Sequence, residues 1–348
     1  MSLFAKKEDK SFNLRTPVDY DFDTYLLESL YLLDDKFYET HYENVRNIHI
    51  GKLDSSMEIL EESFTDFMKS IIDFLKALIE KLKTYFGKVF MYISSLIGNF
   101  SKFIKNNKDK LSINRNYEIN TTGYIFTTNK NINFSILESL VSSYNDDLRK
   151  ITNNEIKASD IKERRNKFNS ENYQDELRGK ILGVSPIEKE DYLEETKAIF
   201  RDGETEPKEI KFTHADVMDI VNKYSSVDKT FKDCKKEQVK MIALTNDLKT
   251  FFEKSYSTYF KNKDKKISVS NIEKKDYSIK KTDTNYIDYS DGNIKLINSY
   301  FSFKSLECKE ISNMTLIALN SKVMALKDEL SFYRDIVRKS IFKKEGDI

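Results

Sequence analysis

Three histidines, two cysteines and a few acidic clusters are the groups in this chain equipped for proton transfer, nucleophilic attack or metal binding. His41 and His49 stand eight residues apart, and no cysteine or carboxylate completes a zinc spacing around them. His214 precedes Ala215 and Asp216 where an alternating segment hands over to a helix, so Thr213 or Asp216 serves as a cap. A serine hydrolase needs a nucleophile elbow, and the G-x-S-x-G pattern does not occur. Gly179-Lys180-Ile181-Leu182-Gly183 lacks the residue order of a phosphate loop and reads as a turn. Asp19, Asp21 and Asp23 alternate without the late bidentate Glu of a calcium loop and read as acids at a helix start. Glu61-Glu62 and Glu194-Glu195 read as solvated helix faces. Cys234 and Cys308, with 73 residues between them in lysine-flanked contexts, read as free thiols. The expectation is a protein that is not an enzyme, with no catalytic residue, metal or cofactor.

Binding surfaces are better represented. Lysines crowd between 261 and 281, interleaved with Ile267, Val269, Ile272, Tyr277 and Ile279. Lys263, Lys265, Lys266, Lys274 and Lys275 are the candidate nucleic-acid contact, since lysines beside phosphates release counterions and aromatic rings stack on bases. A solvated loop and a protein contact are the other readings of the same segment. The whole chain carries 58 Lys and Arg against 57 Asp and Glu, a net charge of +1, so no global field favours nucleic acid or an anionic membrane.

The strongest pattern is a seven-residue ladder, Met68, Leu75, Leu82, Val89, Leu96 and Phe103, flanked by parallel rows. Residues three, four and seven apart share a helix face. The predicted assembly or membrane face is Phe64, Met68, Ile71, Leu75, Leu78, Leu82, Phe86, Val89, Ile93, Leu96, Phe100 and Phe103. Glu61, Asp66, Lys69, Asp73, Lys76, Glu80, Lys81, Lys83, Lys88 and Lys102 largely cover the opposite side. An unbroken helix over 59–105 would reach roughly 70 Å. Gly87 and Gly98 favour a bend or break, at about 1 kcal/mol each relative to Ala.

Around that helix the chain reads as mainly α: a long amphipathic helix and a helical bundle with a small α+β insert. An N-terminal helical segment occupies 1–58, the long helix 59–110, a small α+β region 111–214, a helical region 215–262, a Lys-rich polar segment 263–304 and a C-terminal heptad helix 305–348. Tyr117–Thr128 predicts a strand, or a strand with a bulge at Gly123, pairing with a second strand over Glu209–Thr213. Arg201–Pro207 predicts a loop, Pro186–Phe200 a short helix and Ile294–Phe303 a short strand, while 151–178 carries little pattern. Leu316, Val323, Leu330 and Val337, beside Leu319, Leu326 and Tyr333, mark the last helix. With 24 Phe, 20 Tyr, only nine Gly and three Pro, the chain has core-forming side chains in plenty and is no linker-rich polymer.

Three stretches carry a resemblance: Phe64-Thr65-Asp66-Phe67-Met68-Lys69-Ser70-Ile71-Ile72-Asp73-Phe74-Leu75-Lys76, Thr122-Gly123-Tyr124-Ile125-Phe126 and Ile199-Phe200-Arg201-Asp202-Gly203-Glu204. Over roughly 20–265 the chain resembles internal virion or structural proteins of bacteriophages infecting low-GC, mostly Gram-positive hosts. The resemblance implies a non-enzymatic virion component, packaged in the head or built into the particle through helix-mediated assembly. Its implied partners are other virion proteins, copies of itself and DNA. The alternative is a membrane-active protein ejected with the genome, using the 59–105 helix on the host bilayer. Synthesis in the host cytoplasm and residence in the virion are expected. The first fifteen residues lack the apolar core of a secretion signal, and Val89–Ser101, the longest low-charge stretch, falls short of the ~20 residues that span a bilayer.

Overall fold

Apolar residues between 65 and 103 recur in pairs, Phe67-Met68, Ile71-Ile72, Phe74-Leu75, Leu78-Ile79, Tyr85-Phe86 and Val89-Phe90, at intervals of three or four. That is the period of one helix face, and Met57–Asn106 forms a single 50-residue helix, α1. The computed structural model describes residues 57–152, 155–257 and 291–342. After α1 come α2 (Lys108–Leu111), β1 (Tyr117–Phe126), α3 (Ser135–Thr152), α4 (Ala158–Phe168), α5 (Glu171–Leu182), α6 (Tyr192–Phe200), β2 (Arg201–Phe212), α7 (His214–Tyr256) and α8 (Asp291–Phe342). The chain is mainly helical with one two-stranded sheet among the described residues, as the sequence predicts. The expected interruption of α1 does not occur: the helix runs through Gly87 and Gly98, and packing along its length outweighs their weak propensity.

Three long helices form the frame. Phe90 meets Phe231 at 5.7 Å between ring centroids, Phe100 meets Tyr224 at 4.1 Å, and Gln238 Nε2 donates to the Leu82 carbonyl at 2.6 Å. As residue numbers rise along α1 they fall along α7, so these two helices are antiparallel. Tyr85 OH donates to Asn320 Oδ1 at 2.9 Å, and Phe103 lies 6.1 Å from Phe342, so α1 and α8 are parallel. The insert between α1 and α7 lies along α8. Arg165 Nη2 donates to the Ser299 carbonyl at 2.9 Å, Phe168 packs on Phe303, and Tyr192 OH donates to the Met314 carbonyl at 2.9 Å. Further along, Tyr124 and Phe126 pack on Phe332.

With the frame and the insert around it, α8 is a spine enclosed on every side. No residue from Leu296 to Val337 is exposed. This corrects the reading of Ile294–Phe303 as a strand. Those residues belong to α8, where Ile297, Tyr300, Phe301 and Phe303 are buried at successive helical positions.

β1 and β2 pair antiparallel, from Tyr117 opposite Phe212 to Phe126 opposite Arg201. The predicted loop at Arg201–Pro207 is therefore the first half of β2, whose glycine, proline and charges suit an exposed edge. The register shifts between Thr121 and Gly123, which fits the second of the two sequence readings, a strand with a bulge. There β1 advances from Thr121 to Gly123 while β2 runs from Lys208 to Glu204, and the extra length absorbs Pro207. The shift also moves the inward side from Tyr117, Ile119 and Thr121 to Tyr124 and Phe126. The weakly patterned stretch 151–178 holds α4 and most of α5, and the helix expected from Pro186 starts at Tyr192.

Across the sheet Gly203 takes φ 127°, and a Cβ there would sit 2.2 Å from the Gly123 carbonyl oxygen. Gly203→Ala should therefore cost about 2 kcal/mol, from forbidden backbone and a backbone clash together. Urea denaturation checks it, and an unchanged midpoint would count against this register.

At the helix ends the chemistry is local. Thr213 accepts from the Asp216 amide at 3.2 Å and Asp216 Oδ2 accepts from the Thr213 amide at 2.7 Å, a capping box that starts α7. α5 ends on Gly183 in the left-handed region at φ 64°, so the predicted turn at Gly179–Gly183 is a helix end.

Candidate functional site

The predicted apolar face is turned inward. Met68, Ile71, Leu75, Leu78, Leu82, Phe86 and Ile93 have 0% of their surface exposed, and Val89, Leu96, Phe100 and Phe103 are buried with them. α7 and α8 cover this face within the chain, so it is not offered to a bilayer or a second copy. No helix among the described residues is long and apolar enough to cross a membrane. Phe64 lies in α1. Lys263, Lys265, Lys266, Lys274 and Lys275 fall outside the described residues, as do His41, His49, Asp19, Asp21 and Asp23.

The groups considered for catalysis are dispersed. His214 begins α7, and Glu194 pairs with Lys197 at 3.0 Å on an exposed face of α6. Cys234 and Cys308 are unpaired and buried, and desolvation pushes the Cys234 thiol up to about 12 and the Cys308 thiol higher still. Thiols so far from their thiolate form are poor nucleophiles at neutral pH. Among the described residues no group of three or more His, Cys, Asp or Glu is placed to hold a metal ion. A groove of about 300 Å³ lies where the first half of α1 meets the end of α7. Lys69, Asp73, Lys76 and Glu253 line it, and Asp73 already takes Lys76 at 3.3 Å.

What sequence reasoning missed is a line of charge buried along α8. Lys304 Nζ lies 2.8 Å from Glu307 and 3.6 Å from Asp147 of α3, with the Tyr144 and Phe303 rings each 4.9 Å away. Asp147 also accepts from Arg164 of α4 at 2.9 Å. Burial first, and the Glu307 charge second, hold the Tyr144 phenol well above its usual pKa, so it stays a neutral donor to the Lys304 carbonyl at 2.9 Å. Lys322, 1% exposed, makes two 2.8 Å bonds to Glu237 of α7, which also accepts from the Ile132 amide at 3.2 Å. Glu329 accepts from Thr128 at 2.5 Å and from Tyr333 at 2.9 Å. Arg201 of β2 pairs with Asp328.

A signal for this line does exist. Thr315, Lys322 and Glu329 are seven apart, one polar row beside the apolar row Leu319, Leu326 and Tyr333. Lys304, Lys322 and Glu329 are each answered by a group from α3, α7 or the segment after β1, and Asp328 by Arg201 of β2, while Lys309 pairs with Glu310 of α8 itself. Such an arrangement can fix how elements sit on one another; it is closed to substrates.

Glu329 gives a pH test. Desolvation raises its pKa above the ordinary 4.5, against the hydroxyl bonds from Thr128 and Tyr333 and the opposing charge of Lys223 on α7. The folded protein therefore keeps this proton at pH values where the unfolded chain has lost it. The contribution of Glu329 to stability is fullest below 4.5 and declines as pH rises through the raised folded value. Glu329→Gln, which mimics the neutral form, should gain on the wild type over that rise. Urea titrations across pH check this, and parallel curves for the two proteins would contradict it.

No known protein family, characterised protein or solved structure matches this chain.

Proposed function

We propose that this chain is a non-enzymatic structural component of a bacteriophage particle, packaged within the head or built into it, which works as a rigid element of an assembly. The observation that carries the reading is the enclosed spine. Helices of 50, 43 and 52 residues lie side by side, and the charges buried along α8 tie them to the insert. A frame tied in this way holds its shape under load, which suits a building element. Because the apolar seam is satisfied within the chain, neighbouring copies or other virion proteins would meet it through its charged outer surfaces.

The phage assignment draws on residues that come together in the sheet. Thr122–Phe126 and Arg201–Glu204, both parts of the resemblance, face each other in antiparallel register. Mass spectrometry of density-purified particles, produced from the genome encoding this chain, tests the proposal. Peptides of this chain should be present in many copies and survive a high-salt wash. Their absence from intact particles would end it.

A further inference from the structure

Along α1 the lysines change character. In the first half Lys69, Lys76 and Lys83 each sit three residues after an acid and pair with it, to Asp66 at 3.5 Å, Asp73 at 3.3 Å and Glu80 at 3.6 Å. After Glu80 the acids stop. Residues 81–117 contain Lys81, Lys83, Lys88, Lys102, Lys105, Lys108, Lys110 and Arg115 against the single acid Asp109.

The fold gathers the later members of this run at one end of the frame. Arg115 Nη2 donates to the Ser340 carbonyl at 3.1 Å, and Lys110 Nζ stands 5.3 Å above the Phe342 ring, which itself touches Phe103. The last turns of α1, α2 and the last turns of α8 therefore share one surface, to which α8 adds Arg338 and Lys339. Lys102, Lys105, Lys108, Lys110 and Arg338 are exposed there, and no carboxylate among the described residues lies within ion-pair distance of Lys102, Lys105, Lys108 or Lys110. The other acids nearby are largely engaged: Asp335 with Lys339 at 2.7 Å, Glu118 with Lys211 at 3.3 Å, Asp219 with Lys223 at 2.7 Å, and Asp216 in the α7 cap. Helix dipoles account for Lys105 and Lys339, which sit in last turns. Lys108 and Lys110 also lie in a last turn, but a helix of four residues has too small a dipole to account for them.

We infer that this basic end, built by α1, α2 and α8, binds the phosphate backbone of nucleic acid. Unpaired lysines on α1 and α2 release counterions when they meet a chain of phosphates. Phe342, 49% exposed and flanked by Lys110, is the one ring among the described residues available there for stacking. A bilayer is the weaker partner, because Ile113 and Phe342, each 49% exposed, are too little apolar surface to insert. The surface is separate from the lysines at 263–275, and the inference does not depend on the particle assignment.

The test uses the full chain and a short fluorescent DNA duplex, followed by anisotropy over a range of salt. The combined variant Lys105→Gln, Lys108→Gln and Lys110→Gln is compared with Lys69→Gln, Lys76→Gln and Lys83→Gln, which removes the same net charge from the early and middle turns of α1. All six lysines are exposed, so a circular-dichroism melt should find both variants folded. The basic-end variant should bind at least ~10-fold more weakly and lose about 3 from the slope of log K against log salt, while the control stays within about 2-fold. An equal loss in both variants, no binding by the wild type at low salt, or loss only on removing Lys263, Lys265 and Lys266 would each overturn the inference. Binding to phosphatidylserine vesicles in place of DNA would overturn it as well.

Discussion

Leu82→Asp should prevent folding. Leu82 is 0% exposed at the middle of α1, among Leu78, Tyr85 and Phe86, and its carbonyl accepts from Gln238 of α7 at 2.6 Å. A carboxylate placed there would have to be neutralised or drag water into the seam between α1 and α7. Either route adds to the lost packing of a leucine, and the total should exceed about 4 kcal/mol. Against a typical domain stability of about 5–15 kcal/mol, that leaves little or no folded protein. Lys83→Asp provides the comparison. Lys83 is exposed and gives up only its 3.6 Å surface pair with Glu80, worth about 0.5 kcal/mol. Urea denaturation followed by circular dichroism distinguishes the two, and a folded Leu82→Asp protein would mean that the α1 seam is not buried.

Lys322→Met should be nearly as damaging, for an electrostatic reason. The substitution keeps the volume and removes the cation from Glu237, whose side chain is 12% exposed and which would retain only the Ile132 amide as a neutral donor. Breaking a buried pair from one side costs about 3–5 kcal/mol, because the remaining charge is stranded. The double variant Lys322→Met, Glu237→Gln removes that charge while keeping an acceptor for Ile132, and should recover most of the loss. A double-mutant cycle measures the coupling. Additive losses would show that the pair does not hold α7 to the spine.

The two results separate what is legible in the sequence from what is not. α1 is legible because one of its sides meets water: Lys69, Lys76 and Lys83 alternate with Ile71, Leu78 and Phe86, and the contrast gives the period. The first turns of α8 carry no such contrast, since a helix covered all round has no polar side to mark its repeat. Without that mark, the aromatic and β-branched content of Ile294–Phe303 reads as strand. β2 fails in the opposite sense. Asp202, Glu204 and Glu206 are exposed along an open edge, and nothing in them distinguishes a paired strand from a loop. The inward face of α1 is visible from residue types alone, but what covers it is not, because that depends on helices more than a hundred residues away. The buried charges of α8 are hidden for the same reason: a lysine in sequence looks solvated until its distant partner is known.

Of the described elements, the spine is made last. α1 and the insert leave the ribosome before α8, yet α8 is the helix on which they rest. At synthesis rates of ~20 residues per second, α1 waits on the order of ten seconds for that partner, and until then only α7 can cover its apolar seam. During this interval the nascent chain is a substrate for chaperones and for its own neighbours on a polysome. Translation speed and chaperone supply should then bear on how much of this protein is recovered intact from a cell.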